Sequence, residues 1–244
     1  MCLKSIVSKL NFEVILNIAY ITLFFFFLER QIHLSYYFTI KSSDLNVFQH
    51  VFYNYIYYLH SLFLGLILLS IRYKNNITPI ILFLLNLIFI KYQSGFLYGA
   101  DQLASRLLLV FIFINNYKKS PIKTIIGVKL LTAMVAAMYF HAGIEEVFHP
   151  EWINGKSLLS LLNQYLGLNI NVNFTYLTMI ISIITIGTQL SSIFLFHHKI
   201  KKILIPILLL MHIGIIFIFK LPFFGILCII ALLIILKQPR KKEI

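Results

Sequence analysis

Residues 203–236 read ILIPILLLMHIGIIFIFKLPFFGILCIIALLIIL, and this stretch decides the fold. It consists of two apolar runs, 203–219 and 222–236, which are separated only by Lys220 and Leu221. Neither run shows the alternation of polar and apolar residues that a half-buried strand needs. Because lipid offers no hydrogen-bond partner to an open strand edge, each run predicts a membrane helix.

The composition of the whole chain agrees with that pattern. Of its 244 residues, 60% are hydrophobic and 12% are charged, and the mean hydropathy is +0.89. Soluble domains carry about 25% charged residues, so a soluble single domain is excluded, and so is a disordered chain. The apolar runs cover residues 11–28, 49–71, 77–97, 101–116, 124–147, 173–196, 203–219 and 222–236. The sequence therefore predicts an all-α polytopic membrane bundle of about eight transmembrane helices, forming a single domain over residues 1–244.

The net charge of +13 is concentrated in short segments between the apolar runs. This distribution is typical of cytoplasmic loops and of contact with lipid headgroups, and it argues against a nucleic-acid partner. With the N-terminus inside, fourteen basic residues fall on the cytoplasmic side: Lys4, Lys9, Arg72, Lys74, Lys118, Lys119, Lys123, Lys199, Lys201, Lys202, Lys237, Arg240, Lys241 and Lys242. Five fall outside: Arg30, Lys41, Lys91, Lys156 and Lys220. We therefore expect a multi-pass plasma-membrane protein with both termini in the cytoplasm.

The external segment 148–172 differs from the other loops. Pro150 ends the fifth run, and Trp152 would lie at the level of the lipid headgroups. After Gly155, leucines recur at helical spacing. This pattern predicts an amphipathic helix in the outer interface, with a re-entrant segment as the alternative.

Ionisable groups inside apolar runs are costly, so each needs a partner or a function. The densest group, HAGIEEVFH, occupies residues 141–149 at the end of the fifth run. His141 and Glu145 share a helix face, whereas Glu146 projects about 100° away. These three side chains are candidate catalytic acids and bases. The alternatives are hydrogen bonding between helices and a metal site with His149, which Pro150 disfavours.

A second polar group lies on the fourth run. Asp101 and Arg106 are separated by about 140° of helical rotation and so do not pair along one face. Arg106 could form an ion pair with Glu145 or Glu146, or it could bind an anion. In the seventh run, His212 is either a substrate contact or a polar residue that holds helices together. Asp101, Arg106, Trp152 and His212 are the candidate substrate-binding residues. The two cysteines, Cys2 and Cys228, do not make a metal site by themselves.

Several of these segments match one family pattern in order. Residues 98–108, YGADQLASRLL, resemble the "gaD…R.ll" segment of the HTTM family, the transmembrane domain shared by vitamin K-dependent γ-carboxylases and bacterial relatives. Residues 139–146, YFHAGIEE, and 152–155, WING, resemble its "Y..AGi.Kl…W..G.a" block. TQL at 188–190 and MHIGI at 211–215 resemble its "t.E" and "lHlGi" segments. The resemblance is strongest over residues 83–234.

The length of the chain resembles the sporulation-delaying protein B (SdpB) branch of that family, small bacterial membrane proteins associated with a secreted peptide toxin. The resemblance implies action at the outer face in the maturation or export of such a peptide. Three positions depart from the γ-carboxylase pattern: Glu146 replaces the catalytic lysine, Ser94 a histidine, and Gln189 a glutamate. γ-Carboxylase-like chemistry would therefore have to be altered. A non-enzymatic membrane protein that binds lipid or a small molecule is the other alternative. The sequence identifies neither the substrate nor a cofactor.

Overall fold

The computed structural model describes residues 11–32, 47–92, 99–166 and 174–237, and these segments contain helices and no strands. The α-helices are α1 (Phe12–Ile32), α2 (Val47–Arg72), α3 (Ile77–Tyr92), α4 (Gly99–Ile114), α5 (Pro121–Phe148), α6 (Pro150–Ile153), α7 (Lys156–Leu166), α8 (Thr175–Leu190), α9 (His198–Ile218) and α10 (Pro222–Leu236). A 3-10 segment at Ser191–Phe196 extends α8. The described part of each predicted apolar run is helical except for a few residues at its ends, which confirms the all-α prediction for the described residues.

Four helical segments in the described part of the chain are long and apolar enough to cross a membrane. They are Phe12–Glu29, Pro121–Phe148, Thr175–Phe196 and His198–Ile218. Tyr58–Arg72, Ile77–Ile90 and Pro222–Leu236 are shorter apolar helices. The predicted third run extends to residue 97, but positions 93–98 lie outside the described residues. The helix predicted after Gly155 is present as α7.

The chain forms two compact units whose boundary lies inside α5, between Val128 and Lys129. In the first unit, helices adjacent in sequence pack together: α1 on α2, α2 on α3, and α3 on α4. Gly127 at the start of α5 lets that helix approach α4 closely. A Cβ there would lie 2.7 Å from side-chain atoms of both Ile114 and Phe113.

In the second unit, α9 and α10 form a hairpin around Lys220, whose φ of 52° is left-handed. The short helices α6 and α7 pack on α8. Between them, Gly155 has a φ of +75°, and a Cβ on this residue would lie 2.3 Å from the backbone nitrogen of Met179. Glycine is therefore required at this turn, because any side chain would strain the backbone and strike α8.

Helix α8 has the inverted polarity expected of a helix in lipid. Its buried face carries Thr178, Ser182, Ile186 and Gln189, and the 3-10 segment adds Ser192. Its exposed residues are mainly isoleucine, leucine and aromatic residues: Tyr176, Leu177, Ile180, Ile181, Ile183 and Ile184. An aqueous protein would place these two faces the other way round. The buried polar groups of α8 and of the 3-10 segment consequently face the interior of the second unit.

Candidate acid–base site

The part of α5 in the second unit has an inward stripe of polar and small residues. Residues on this stripe recur three or four positions apart and are Thr132, Ala136, Tyr139, Gly143 and Glu146. The first four are buried, and Glu146 near the C-terminal end of α5 is half-buried. The spacing places all five on one helix face. This stripe, together with the groups that α8, α9 and α10 present to it, forms the candidate site.

His141 and Glu145 lie on a different face of α5. His141 Nε2 is 3.1 Å from Glu145 Oε1, so the predicted contact four residues apart is present. Their side chains are 74% and 62% exposed, which places the pair on the outside of the second unit. Such a pair can exchange a proton with a group that approaches the surface of α5.

Glu146 is the carboxyl group that faces the interior. Its Oε1 accepts a hydrogen bond of 3.2 Å from Nε2 of Gln189 on α8. Gly143, one turn earlier, brings the two helices together, because a Cβ there would lie 3.1 Å from the Cβ of Gln189. The sequence places Glu146 about 100° around the helix from Glu145, and the structure gives the two carboxyl groups opposite environments, one exposed and one facing the interior.

Two turns deeper on the same stripe, the Tyr139 hydroxyl forms a short hydrogen bond with Nε2 of His212 on α9. The Tyr139 side chain also hydrogen-bonds the Cys228 thiol of α10. All three residues are buried. His212 lies six residues before the end of α9, and Cys228 six residues after the start of α10. Both are therefore roughly 9 Å from the turn at Lys220.

Gly225 holds α10 close to α9 beside this cluster. A Cβ on Gly225 would lie 2.4 Å from Ile216 Cγ1 and 3.0 Å from the carbonyl oxygen of His212. A larger residue would push α10 away from α9 at the level of the histidine. The close contact therefore keeps the Cys228 thiol within reach of Tyr139.

Four buried polar atoms of the second unit have no hydrogen-bond partner among the described protein groups. They are Glu146 Oε2, Gln189 Oε1, Ser182 Oγ and His212 Nδ1. Ser182 and His212 are each 1% exposed, and Gln189 is 7% exposed. Native proteins leave few such groups unsatisfied, so a cluster of them within one unit calls for an explanation.

The other predicted binding residues lie elsewhere. Trp152 is half-buried on α6. Asp101 is buried at the start of α4, in the first unit. Arg106, one turn further on, donates from Nη2 to Gln102 Oε1 over 3.5 Å. The ion pair from Arg106 to Glu145 or Glu146 stays a prediction.

The sequence alone did not single out Tyr139, Ser182 or Cys228 as members of a site. One signal for Cys228 was present, because His212 and Cys228 are equally distant from Lys220 and so must lie side by side in a tight helical hairpin. The polar stripe of α5 was a second signal. Within the described ranges, no three His, Cys, Asp or Glu side chains are gathered as metal ligands.

Comparison with known proteins returns no relative. No family model matches the chain, no curated protein matches it, and no solved structure matches it.

Proposed function

We propose that the chain is a plasma-membrane protein with eight membrane helices that acts at the outer face in the maturation or export of a secreted peptide. Four long and three shorter apolar helices support the membrane assignment. We take α4 as the remaining span, because it carries the fourth apolar run. The resemblance of residues 83–234 to HTTM proteins, and of the whole chain to the SdpB branch, supports the link to a peptide.

The positions of the basic turns support the orientation. Lys74 lies between α2 and α3, and Lys118 and Lys119 lie between α4 and α5. Lys199, Lys201 and Lys202 lie at the start of α9. Basic residues favour the cytoplasmic side, so the opposite ends of these helices, including the end of α5, face outward.

The interior position of Glu146 is the observation that carries the acid–base part of the proposal. The carboxyl group lies at the outer end of α5, is held by Gln189, and occupies the position at which the resembled pattern has a catalytic lysine. A carboxyl group there can give a proton to, or take one from, a peptide group that reaches it from the outer side. His141 and Glu145 form a second proton-exchanging pair on the adjacent face.

The orientation is tested with reporter fusions in cells that express the full chain. A reporter fused after Glu243 should be cytoplasmic, and one inserted between Pro150 and Gly155 should be external. A cytoplasmic location for the second reporter would put the end of α5 on the wrong side of the membrane for a secreted peptide and would overturn the proposal.

The chemistry is tested in a strain of the native host from which the gene of this chain is deleted. The deletion should abolish the growth-inhibitory peptide activity in the medium, and a plasmid copy of the wild-type gene should restore it. Glu146→Gln, Glu145→Gln and His141→Gln keep side-chain size and much of the hydrogen bonding, and each is expressed from a plasmid. Glu146→Gln should abolish peptide activity in the medium, normalised to the amount of protein in the membrane. Glu151→Gln on α6, an exposed acid outside the site, is the control. Wild-type output from all three site variants would remove the acid–base role.

A further inference from the structure

The four unpartnered polar atoms of the second unit belong to three helices that meet around the inward face of α5. Glu146 Oε2 is on α5, Ser182 Oγ and Gln189 Oε1 are on α8, and His212 Nδ1 is on α9. Glu146 and Gln189 are already joined by a hydrogen bond, and His212 is joined to Tyr139. Each of the two bonded pairs therefore still has atoms that can form another hydrogen bond, and so does the hydroxyl group of Ser182.

The groups are close enough along the helices to be bridged. Tyr139 lies one turn from Gly143, which contacts Gln189, and Glu146 lies roughly 10 Å above Tyr139 on the same face. Buried polar groups that protein atoms do not satisfy are commonly satisfied by ordered water, which makes about three hydrogen bonds per molecule. Two or three water molecules span a distance of this size.

We propose that the interior of the second unit contains a hydrated proton relay between Glu146 and the His212–Tyr139 pair. Its route runs from the carboxyl group past Gln189 to Nδ1 of His212. The relay rests on the proposed function for its purpose, since it gives Glu146 an internal group with which to exchange the proton used at the membrane surface. The hydration on which it depends can be measured without any peptide.

The tautomer of His212 determines the direction of the relay. When its proton is on Nε2, the imidazole donates to the Tyr139 oxygen, and the Tyr139 hydroxyl donates to the Cys228 thiol. Nδ1 then presents a lone pair. A proton that leaves the Glu146 carboxyl group enters the bound water, and a proton from the other end of that water reaches Nδ1. One carboxylate and one imidazolium are formed, and the return step restores the neutral pair.

Hydroxyl-radical footprinting of the full chain in lipid vesicles tests the hydration. A brief X-ray pulse splits water, and the radicals oxidise only side chains that lie beside a water molecule. Although Tyr139 is buried, we expect it to be oxidised several-fold faster than Tyr20, a residue of the same intrinsic reactivity. Tyr20 is the matched control, because it is a fully buried tyrosine of the first unit whose hydroxyl donates to Asn115 Oδ1 over 3.0 Å.

Gln189→Leu changes the water without touching Tyr139 or His212. It removes the unpartnered atom beside the route and should lower the oxidation of Tyr139 to the rate measured for Tyr20. Ser182→Ala is its control and should leave the rate unchanged, because Ser182 lies two turns from Gln189 on the side away from Tyr139. If the wild-type protein shows no excess of oxidation at Tyr139 over Tyr20, the interior is dry and the relay is wrong. A bound polar organic molecule in place of water would give the same negative result.

The functional arm separates the relay from the proposed function. Tyr139→Phe and His212→Gln should lower peptide output several-fold while the amount of membrane protein and the oxidation of Cys228 stay at wild-type values. Unchanged output from both variants would overturn the relay and leave the role of Glu146 intact. If Glu146→Gln has no effect while footprinting detects the water, the proposed function fails and the hydration stands.

Discussion

Two clusters, one in each unit, use buried polar side chains in opposite ways, although the first unit also has buried atoms without a partner at Asn76 and Arg106. In the first unit, a junction network joins α1 to the turns between α2 and α3 and between α4 and α5, and it consists of Asn17, Tyr20, Ser70, Lys74, Asn75 and Asn115. Lys74 Nζ donates to Asn17 Oδ1 over 2.7 Å and to the Ser70 carbonyl over 3.1 Å. Tyr20 donates to Asn115, and Asn115 donates to the Asn75 carbonyl.

The second unit leaves comparable groups without protein partners. Gln189 uses its amide nitrogen to hold Glu146 but not its oxygen, and His212 uses only one ring nitrogen. A polar group with a complete set of partners fixes helices in place, and replacing it exposes its partners to a desolvation cost. A buried polar group with an incomplete set of partners destabilises the folded state, and its presence therefore favours a role in function. The contrast therefore separates a structural network from a functional one.

The largest expected difference in stability is between Asn115→Leu and Gln189→Leu. Asn115 is fully buried, and its loss leaves both the Tyr20 hydroxyl and the Asn75 carbonyl without a partner. Unsatisfied buried groups cost about 1–3 kcal/mol each, so Asn115→Leu should destabilise the protein by about 3 kcal/mol. Gln189→Leu also removes an atom that had no partner, and should cost about 1 kcal/mol at most.

Thermal unfolding of the two purified variants in the same detergent measures this difference. Asn115→Leu should show the larger fall in Tm, whereas Gln189→Leu should show the larger fall in peptide output. Equal falls in Tm would mean that Gln189 is as structural as Asn115, and the contrast between the units would be lost.

The helices were predictable from the sequence because hydrophobic length alone determines them in lipid. The contact between His141 and Glu145 was also predictable, since it depends only on helical geometry within α5. The neighbours of Glu146 and Tyr139 were not, because Gln189 is 43 positions from Glu146 and His212 is 73 positions from Tyr139. Such pairs depend on which helices pack together, and an apolar run carries no signal for its neighbours. The unit boundary inside α5 likewise has no sequence signal.

A smaller loss of stability is expected when either of two glycines of the second unit, Gly225 or Gly143, is replaced by alanine. A Cβ on Gly225 would meet the backbone oxygen of His212 at 3.0 Å and Ile216 at 2.4 Å, whereas one on Gly143 would meet only side chains, at 3.1 Å. Overpacking costs about 1–3 kcal/mol, so Gly225→Ala should destabilise by about 2 kcal/mol and Gly143→Ala by less.

The same pair tests whether the Tyr139 cluster depends on the hairpin. Gly225→Ala should move Cys228 away from Tyr139, and the thiol should then react faster with a small maleimide in a Cys2→Ser background. Gly143→Ala should leave that rate unchanged. A faster rate in both variants would show that α5, rather than the close approach of α10 to α9, protects the thiol.

The smallest expected effect concerns two lysines in turns of the first unit, and it appears only at alkaline pH. The hydrogen bond of 2.7 Å from Lys118 to Glu13 raises the pKa of Lys118 above its ordinary value of 10.5. Burial lowers the pKa of Lys74 below the same value, although Glu13 partly offsets this. A raised pKa stabilises the fold below pH 10.5 and loses that contribution as the pH rises through the folded value.

A lowered pKa has the opposite effect on how the stability of the fold depends on pH. The cost of keeping Lys74 charged is present at lower pH and is relieved as the pH rises from the folded value towards 10.5. The Tm of the wild-type protein relative to Lys74→Met should therefore rise over this range. Its Tm relative to Lys118→Met should instead fall as the pH passes 10.5, and added salt should weaken that second difference because the ion pair is exposed. Parallel pH profiles for the two differences would show that Lys74 is not desolvated, and would take it out of the junction network.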